Sequence, residues 1–358
     1  MKQTPPLRAY LPELDGLRAL SVISVLLVHA TYGRVQGGFL GVDIFFVISG
    51  YLITRVIMRE QGMTARIDLR EFYLRRGFRI LPPLIACLIL AFALWNGPPP
   101  DRWPVAAATV FFFANFLPSE MLGSLGHTWS LAIEEQFYLV WPLIFILSMK
   151  QGLRTAAVIA GIVIASAIAT RFGLLAAGYP PVLLYTFTPA RTDGLMIGCL
   201  LAIIETMLAV RTPQRLVRLL AWISFVAIVT ALFLAKRDTM QEVPLAFTLF
   251  ALIAATLIFA VPRLAVRDPL RRAFAHPASR YVGRRSYGLY LYHYPIFRAA
   301  ETYRHPGSLS NYLIVVTVEI ALSLIATELS WRFIEQPMLR VKKRISWRNT
   351  RTVAVPAI

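Results

Sequence analysis

The chain has 358 residues, 57% of them hydrophobic and 16% charged, with a mean hydropathy of +0.60. These values exclude a soluble domain and describe a polytopic membrane protein. A net charge of +18 would suit a nucleic-acid partner, but the basic residues lie in short segments beside apolar spans. That is the positive-inside pattern, so the reading is a lipid bilayer, no nucleic acid, and room for an anionic ligand. The two cysteines, Cys87 and Cys199, each sit in an apolar run and read as small core hydrophobes, not as a disulfide or metal site.

After a polar N-terminus to about Gly16, the first apolar stretch runs from Leu17 to Thr31. It carries a cation near its start, Arg18, and an imidazole near its end, His29. At helical pitch the two are about 16 Å apart along the axis, and eleven steps of about 100° return them to the same face. Taken singly, Arg18 reads as a flank that snorkels to headgroups and His29 as an interhelical hydrogen-bonding residue. An ionisable pair on one face of a span points instead to a functional site.

Gly37 to Thr54, GGFLGVDIFFVISGYLIT, follows. Its glycines at 37, 38, 41 and 50 admit close approach of another helix or a ligand, and small-residue packing alone explains the segment. Asp43 sets an acid near the outer end, and Ser49 sets a hydroxyl within the span. Next, FYLRRGFRILPP from Phe72 to Pro83 presents Arg75, Arg76 and Arg79 within just over one helical turn. The guanidinium fork suits phosphate, with headgroup anchoring as the competing reading. Arg66 to Arg79 is expected as an amphipathic surface helix leading to Pro82 and Pro83.

Spans are expected near residues 17–31, 39–57, 80–97, 128–149, 155–177, 189–210, 216–235, 244–262, 285–300 and 311–334. Val105 to Leu117 is about 13 residues, short of the roughly 20 that a crossing needs. Basic segments occur at 55–79, at 263–285, in the tail from Arg340, at Lys150/Arg154 and at Arg211/Arg215/Arg218. All five face the cytoplasm only if 105–117 does not cross. The expected fold is therefore an all-α polytopic membrane protein of about ten transmembrane helices plus one short re-entrant or interfacial helix on the outer side. Both termini are then cytoplasmic, the loops 32–38, 98–127, 178–188, 236–243 and 301–310 are external, and His29, His127 and His293 fall toward the outer half.

HTWSLAIEEQFYLVWP, from His127 to Pro142, places Glu134 and Glu135 about two turns inside a span. A buried glutamate there needs a cation, an imidazole or a hydroxyl as partner, and pairing with an arginine of another helix is the structural reading. Three weaker pieces remain. PARTDGLMIG puts Arg191 and Asp193 at the outer mouth of a span. SYGLYLYHYP strings Tyr287, Tyr290, Tyr292, His293 and Tyr294 along another, where the tyrosines fit an interface belt. Glu328 and Glu335 flank Arg332 near the end of the last span.

Taken together, these residues resemble the integral-membrane acyltransferase 3 family, which O-acylates bacterial glycans and related acceptors. Arg18 and His29 fit its R-x10-H motif, and Phe45, Phe46, Ser49 and Gly50 its FFxxSG motif. Arg76 and Arg79 fit RxxR, and WSLAIEEQFY is similar to the W-S-L-x-x-E-x-Q-F-Y stretch, which assigns the motif acid to Glu134. SYGLYLYHYP and RFIEQP resemble its C-terminal signatures, so the likeness runs from about Leu14 to Pro337. Some members add an extra helix and an extracytoplasmic SGNH domain. The sequence ends about twenty residues after the last span, so the expected organisation is a transmembrane acyltransferase domain over 1–337, a basic cytoplasmic tail over 338–358 and no SGNH domain.

The resemblance implies a bacterial inner-membrane enzyme with acyl-CoA, most often acetyl-CoA, as co-substrate and no metal. The acceptor would be a hydroxyl of a cell-surface or extracytoplasmic carbohydrate. Arg75, Arg76 and Arg79 would hold the phosphates of CoA, with Arg18 and Ser49 also assigned to the donor. His29 would serve as general base or take the acyl group itself, and Glu134 would orient or charge-balance the imidazole. A transporter or flippase for a glycan or anionic small molecule is the alternative, since intramembrane charges fit it equally well. Five scattered histidines give poor support to a haem or metal protein.

Overall fold

A computed structural model describes residues 10–31, 35–64, 68–95, 102–208, 212–304 and 308–340. Its helices are α1 (Pro12–Ala30), α2 (Gly41–Thr64), α3 (Leu69–Ala93), α4 (Arg102–Val110), α5 (Ser119–Leu122), α6 (Thr128–Met149), α7 (Leu153–Ala176) and α8 (Val182–Thr186). They continue as α9 (Thr188–Leu208), α10 (Gln214–Leu234), α11 (Arg237–Glu242), α12 (Ala246–Ala260), α13 (Pro269–Ala275), α14 (Pro277–Arg284), α15 (Ser286–Ala300) and α16 (Leu309–Ser330). No strand occurs among the described residues, as expected where lipid offers the backbone no partner and a helix satisfies its own amides. The tail beyond Arg340 and Arg66, both read above as basic cytoplasmic sequence, lie outside the described residues.

Eight helical stretches among the described residues are long and apolar enough to cross a bilayer, and they coincide with eight of the ten expected spans. The other two expected spans are α1 and α15. α1 has 19 residues but carries Glu13, Asp15 and Arg18 in its first two turns, and α15 has 15 residues, about 22 Å of helix. Within the expected non-crossing piece the helix is α4, nine residues long, or roughly 14 Å against a hydrocarbon core of about 30 Å.

The chain forms two compact units. The first holds α1, α2, residues 112–118 and α6 to α14. Its core includes Leu17, Ile44, Val47, Tyr51, Ile197, Phe247 and Ile258. The central pairing is α2 on α9, and it depends on glycine. A Cβ on Gly50 would sit 1.8 Å from the carbonyl oxygen of Leu195, and one on Gly198 would sit 2.1 Å from that of Val47. The two backbones are therefore in direct contact, the small-residue packing that the glycines of this segment suggested. α6 meets α2 on another side. Trp129 packs edge-on to Phe46 with ring centroids 6.4 Å apart, Glu134 bonds Ser49, and the indole N–H of Trp141 donates to Thr54 Oγ1 at 2.9 Å. The three contacts advance together along both helices, so α2 and α6 run in the same direction.

The second unit holds α3, α4, α5, α15 and α16. Here the structure departs from the expectation of a separate surface helix before Pro82. α3 runs unbroken from Leu69 to Ala93 with Pro82 and Pro83 inside it, so the arginines occupy its first turns. Proline already has a helical φ, and what it removes is an amide donor. The carbonyls that lose a donor are those of Phe78 and Arg79; close by, Tyr287 gives its hydroxyl to Ile80 O at 2.9 Å and Tyr292 to Pro83 O at 3.1 Å. Tyr290 likewise bonds His127 O at 2.9 Å. These tyrosines therefore face protein carbonyls and are not an interface belt. In α16, the buried Glu319 is held by Arg304, with Nε to Oε1 at 2.7 Å.

Candidate active site

Glu134 lies in the second turn of α6 and Ser49 in the third turn of α2. The Ser49 hydroxyl donates to Glu134 Oε1, and the Tyr138 hydroxyl, one turn further along α6, donates to the same oxygen at 2.8 Å. Of the three partner types anticipated for this acid, the structure supplies hydroxyls. Among the described residues these two are its hydrogen-bond donors. Local sequence explains the aim of each group. Gly50 commits one face of α2 to α9, so Ser49, about 100° around the helix, is turned away from that contact. Tyr138 is four residues from Glu134 and stacks above it on the same face. Ser49 and Glu134 stay half-buried, whereas their neighbours Ile48, Gly50 and Ile133 are buried.

Arg18 and His29 share α1, and both are half-buried. Arg75, Arg76 and Arg79 sit in the first turns of α3, in the other unit. Arg75 is engaged by Glu71 one turn earlier at 2.6 Å, while Arg79 is exposed. Of the residues singled out from sequence, the structure thus joins Ser49 to Glu134 directly.

Two buried ionic clusters flank this arrangement within the first unit. Arg191 pairs with Asp43 at 2.7 Å and lies over the ring of Phe247 at 3.9 Å, with Tyr185 and Phe46 also beside it. Arg171, 0% exposed, pairs with Asp193 at 2.8 Å, donates to Pro244 O at 2.6 Å and bonds Ala190 O and Thr248. The sequence reading had Arg191 and Asp193 at the mouth of a span; the structure gives each a separate buried partner. Further along α2 and α9, Glu205 accepts the Tyr51 hydroxyl at 2.9 Å and pairs with Arg263 at 3.0 Å and Arg55 at 3.5 Å. Arg171, Glu205, Thr248 and Tyr138 were missed from sequence. Arg171 was detectable as a lone cation inside an apolar run, and Tyr138 by its spacing of four residues from Glu134 on one helix.

Gln136, two residues past Glu134, clasps a strained turn. Its amide donates to Phe112 O at 2.7 Å and to Asn115 Oδ1 at 2.9 Å, and its own oxygen accepts from Thr188 Oγ1 at 2.6 Å. Phe112 has φ of 61°, a conformation that a bulky side chain holds only when its surroundings enforce it. In the second unit, His127 and His293 are both buried, with ring centroids 5.8 Å apart and Tyr290 and Tyr294 around them. No group of three or more potential metal ligands occurs among the described residues.

The family model described as "Acyltransferase domain" matches residues 11–328. YrhL of Bacillus subtilis, which carries the name of a peptidoglycan O-acetyltransferase, is 33% identical over 364 residues, covering 92% of this chain and 55% of its own length. The O-acetyltransferase OatA of Staphylococcus aureus is 33% identical over 361 residues, covering 92% of this chain and 57% of its own length. The chain thus spans somewhat more than half the length of these relatives. No solved structure matches it.

Proposed function

The chain belongs to the acyltransferase 3 family, and on that premise we propose that it is a membrane O-acetyltransferase. In this reading it moves an acetyl group from cytoplasmic acetyl-CoA to a hydroxyl of an extracytoplasmic carbohydrate, from a bacterial inner membrane crossed about ten times with both termini inside. The observation that carries the reading is the family match over residues 11–328 together with a hydroxyl–carboxylate cluster built from two of the family's motifs, Ser49 and Glu134. The common direction of α2 and α6 supports the topology. An odd number of crossings must connect them, which α3 alone satisfies if 105–117 does not cross.

The donor carries phosphates on a long flexible arm, and Arg76 and Arg79 offer guanidinium forks to them, with Arg75 and Arg18 adding positive charge. His29 removes the proton of the acceptor hydroxyl. Glu134 supplies the negative charge that a protonated imidazole requires. The test is reconstitution of the purified protein in liposomes loaded with radiolabelled acetyl-CoA. Release of free CoA coupled to label on an external polysaccharide supports the reading. Movement of an unmodified solute with no thioester consumed would establish a transporter instead.

A further inference from the structure

We propose that Ser49 carries the acyl group between donor and acceptor, with Glu134 as its base and Tyr138 as the residue that positions Glu134; this rests on the acyltransferase reading above. Serines inside apolar helices ordinarily turn their hydroxyl back to a carbonyl one turn earlier. In this protein Ser21, Ser24, Ser224 and Ser323 do so, at 2.9, 2.7, 2.6 and 2.7 Å. Ser49 does not: it gives its proton to a carboxylate on another helix. A hydroxyl in contact with a base that a third group orients is the arrangement of an activated nucleophile. The third group is Tyr138, bonded to the same Oε1.

The cluster is also held and reachable. α2 is fixed by backbone contact at Gly50 and by the Trp141–Thr54 hydrogen bond, so Ser49 and Glu134 stand on rigid elements and not on loops. Both keep accessible surface, Ser49 between buried neighbours and Glu134 next to buried Ile133. The chemistry balances without a further reactant. Ser49 Oγ attacks the carbonyl carbon of the acyl thioester as its proton passes to Glu134. The C–S bond breaks, and the departing thiolate takes that proton, leaving a free thiol, an ester on Ser49 and an ionised Glu134. Acylated Ser49 has no proton to donate, and Tyr138 remains as the donor to Oε1. The acceptor hydroxyl then attacks the ester, its proton passes to His29, and Ser49 Oγ leaves as that proton is returned to it, with ionised Glu134 balancing the imidazolium in between.

The experiment mixes the detergent-solubilised full chain with radiolabelled acetyl-CoA in the absence of acceptor. Acid quenches from milliseconds to minutes are digested and mapped by mass spectrometry. The expected result is one acetyl group on the peptide containing Ser49, discharged when a soluble glycan hydroxyl is added. Ser49→Ala should lose the adduct. Ser49→Cys should carry it as a thioester released by neutral hydroxylamine, which keeps the test valid if the alanine variant folds poorly. Glu134→Gln should slow adduct formation about 10²–10⁴-fold, and Tyr138→Phe should lower kcat with KM for acetyl-CoA unchanged. If the wild type turns over acetyl-CoA while Ser49 stays unlabelled, or if Ser49→Ala transfers at the wild-type rate, Ser49 only positions Glu134 and the proposal fails while the acyltransferase reading stands. If the wild type consumes no acetyl-CoA with any acceptor, the acyltransferase reading fails first.

Discussion

Arg191 closes on Asp43 at 2.7 Å inside the first unit, 148 positions away in sequence, with both side chains out of contact with solvent. The pair ties the start of α2 to the start of α9, the two helices whose backbones touch further along at Gly50 and Gly198. Removing one partner of such a pair leaves an uncompensated buried charge, which costs about 3–5 kcal/mol. Asp43→Ala should therefore lower the thermal unfolding midpoint in detergent sharply. Asp43→Asn combined with Arg191→Gln should recover part of the loss, because no bare charge remains. A double variant no more stable than Asp43→Ala would assign the pair a role other than charge balance.

Gly198→Ala should be poorly tolerated, because its new methyl group would meet the Val47 carbonyl and force α2 and α9 apart. The cost of such overpacking is about 1–3 kcal/mol or more. Gly161, on α7 with nothing within 4 Å of a built Cβ, is the control. Gly161→Ala should match or exceed wild-type stability, since alanine is the better helix former. Equal stabilities of the two variants would contradict the close packing of α2 on α9.

Replacing Arg76 or Arg79 should weaken the donor more than the chemistry. Each lost charge-assisted contact is worth about 1.5–3 kcal/mol, read as a raised KM for acetyl-CoA when chemistry is slow. Arg79→Lys should rescue only in part, since an ammonium cannot reproduce the two-donor fork. Arg75 should matter less than the exposed Arg79, because Glu71 already engages it at 2.6 Å. Unchanged donor saturation in folded Arg79→Ala protein would return these arginines to headgroup anchoring.

His29→Ala should remove transfer to acceptor, by about 10²–10⁴-fold if the imidazole acts as general base, and leave the folded state intact. The double variant with Glu134→Gln should be no worse than the more damaging single change, because residues acting as a unit are not additive. Near-normal transfer by well-folded His29→Ala protein would make the histidine structural and move attention to His127 and His293.

The topology is open to thiol labelling, since Cys87 and Cys199 are both buried. Leu122 and Gly152 would be natural sites by sequence, but Leu122 is buried and Gly152 has φ of 104°. Glu120 and Gln151 are exposed neighbours. Glu120→Cys should react with an impermeant reagent applied outside, and Gln151→Cys should not. The reverse pattern would overturn every side assignment made for the loops.

Sequence by itself determined the helical class, eight of the spans and the shortness of the piece around 105–117, because hydropathy, length and proline content act locally. It also marked Glu134 as a costly acid inside an apolar helix and noted Ser49 as a hydroxyl within another. Only the tertiary structure decided what each of them touches. The partner of a buried charge is chosen by packing across the bundle, so Asp43 took Arg191, Asp193 took Arg171 and Glu205 took Arg263. None of those pairings leaves a periodic trace in the chain. Tyr138 differs: its spacing of four residues from Glu134 is visible in the chain, although hydropathy reads it as one more aromatic in a span. What only the register of α6 against α2 decided is that Ser49 meets the carboxylate Tyr138 already holds.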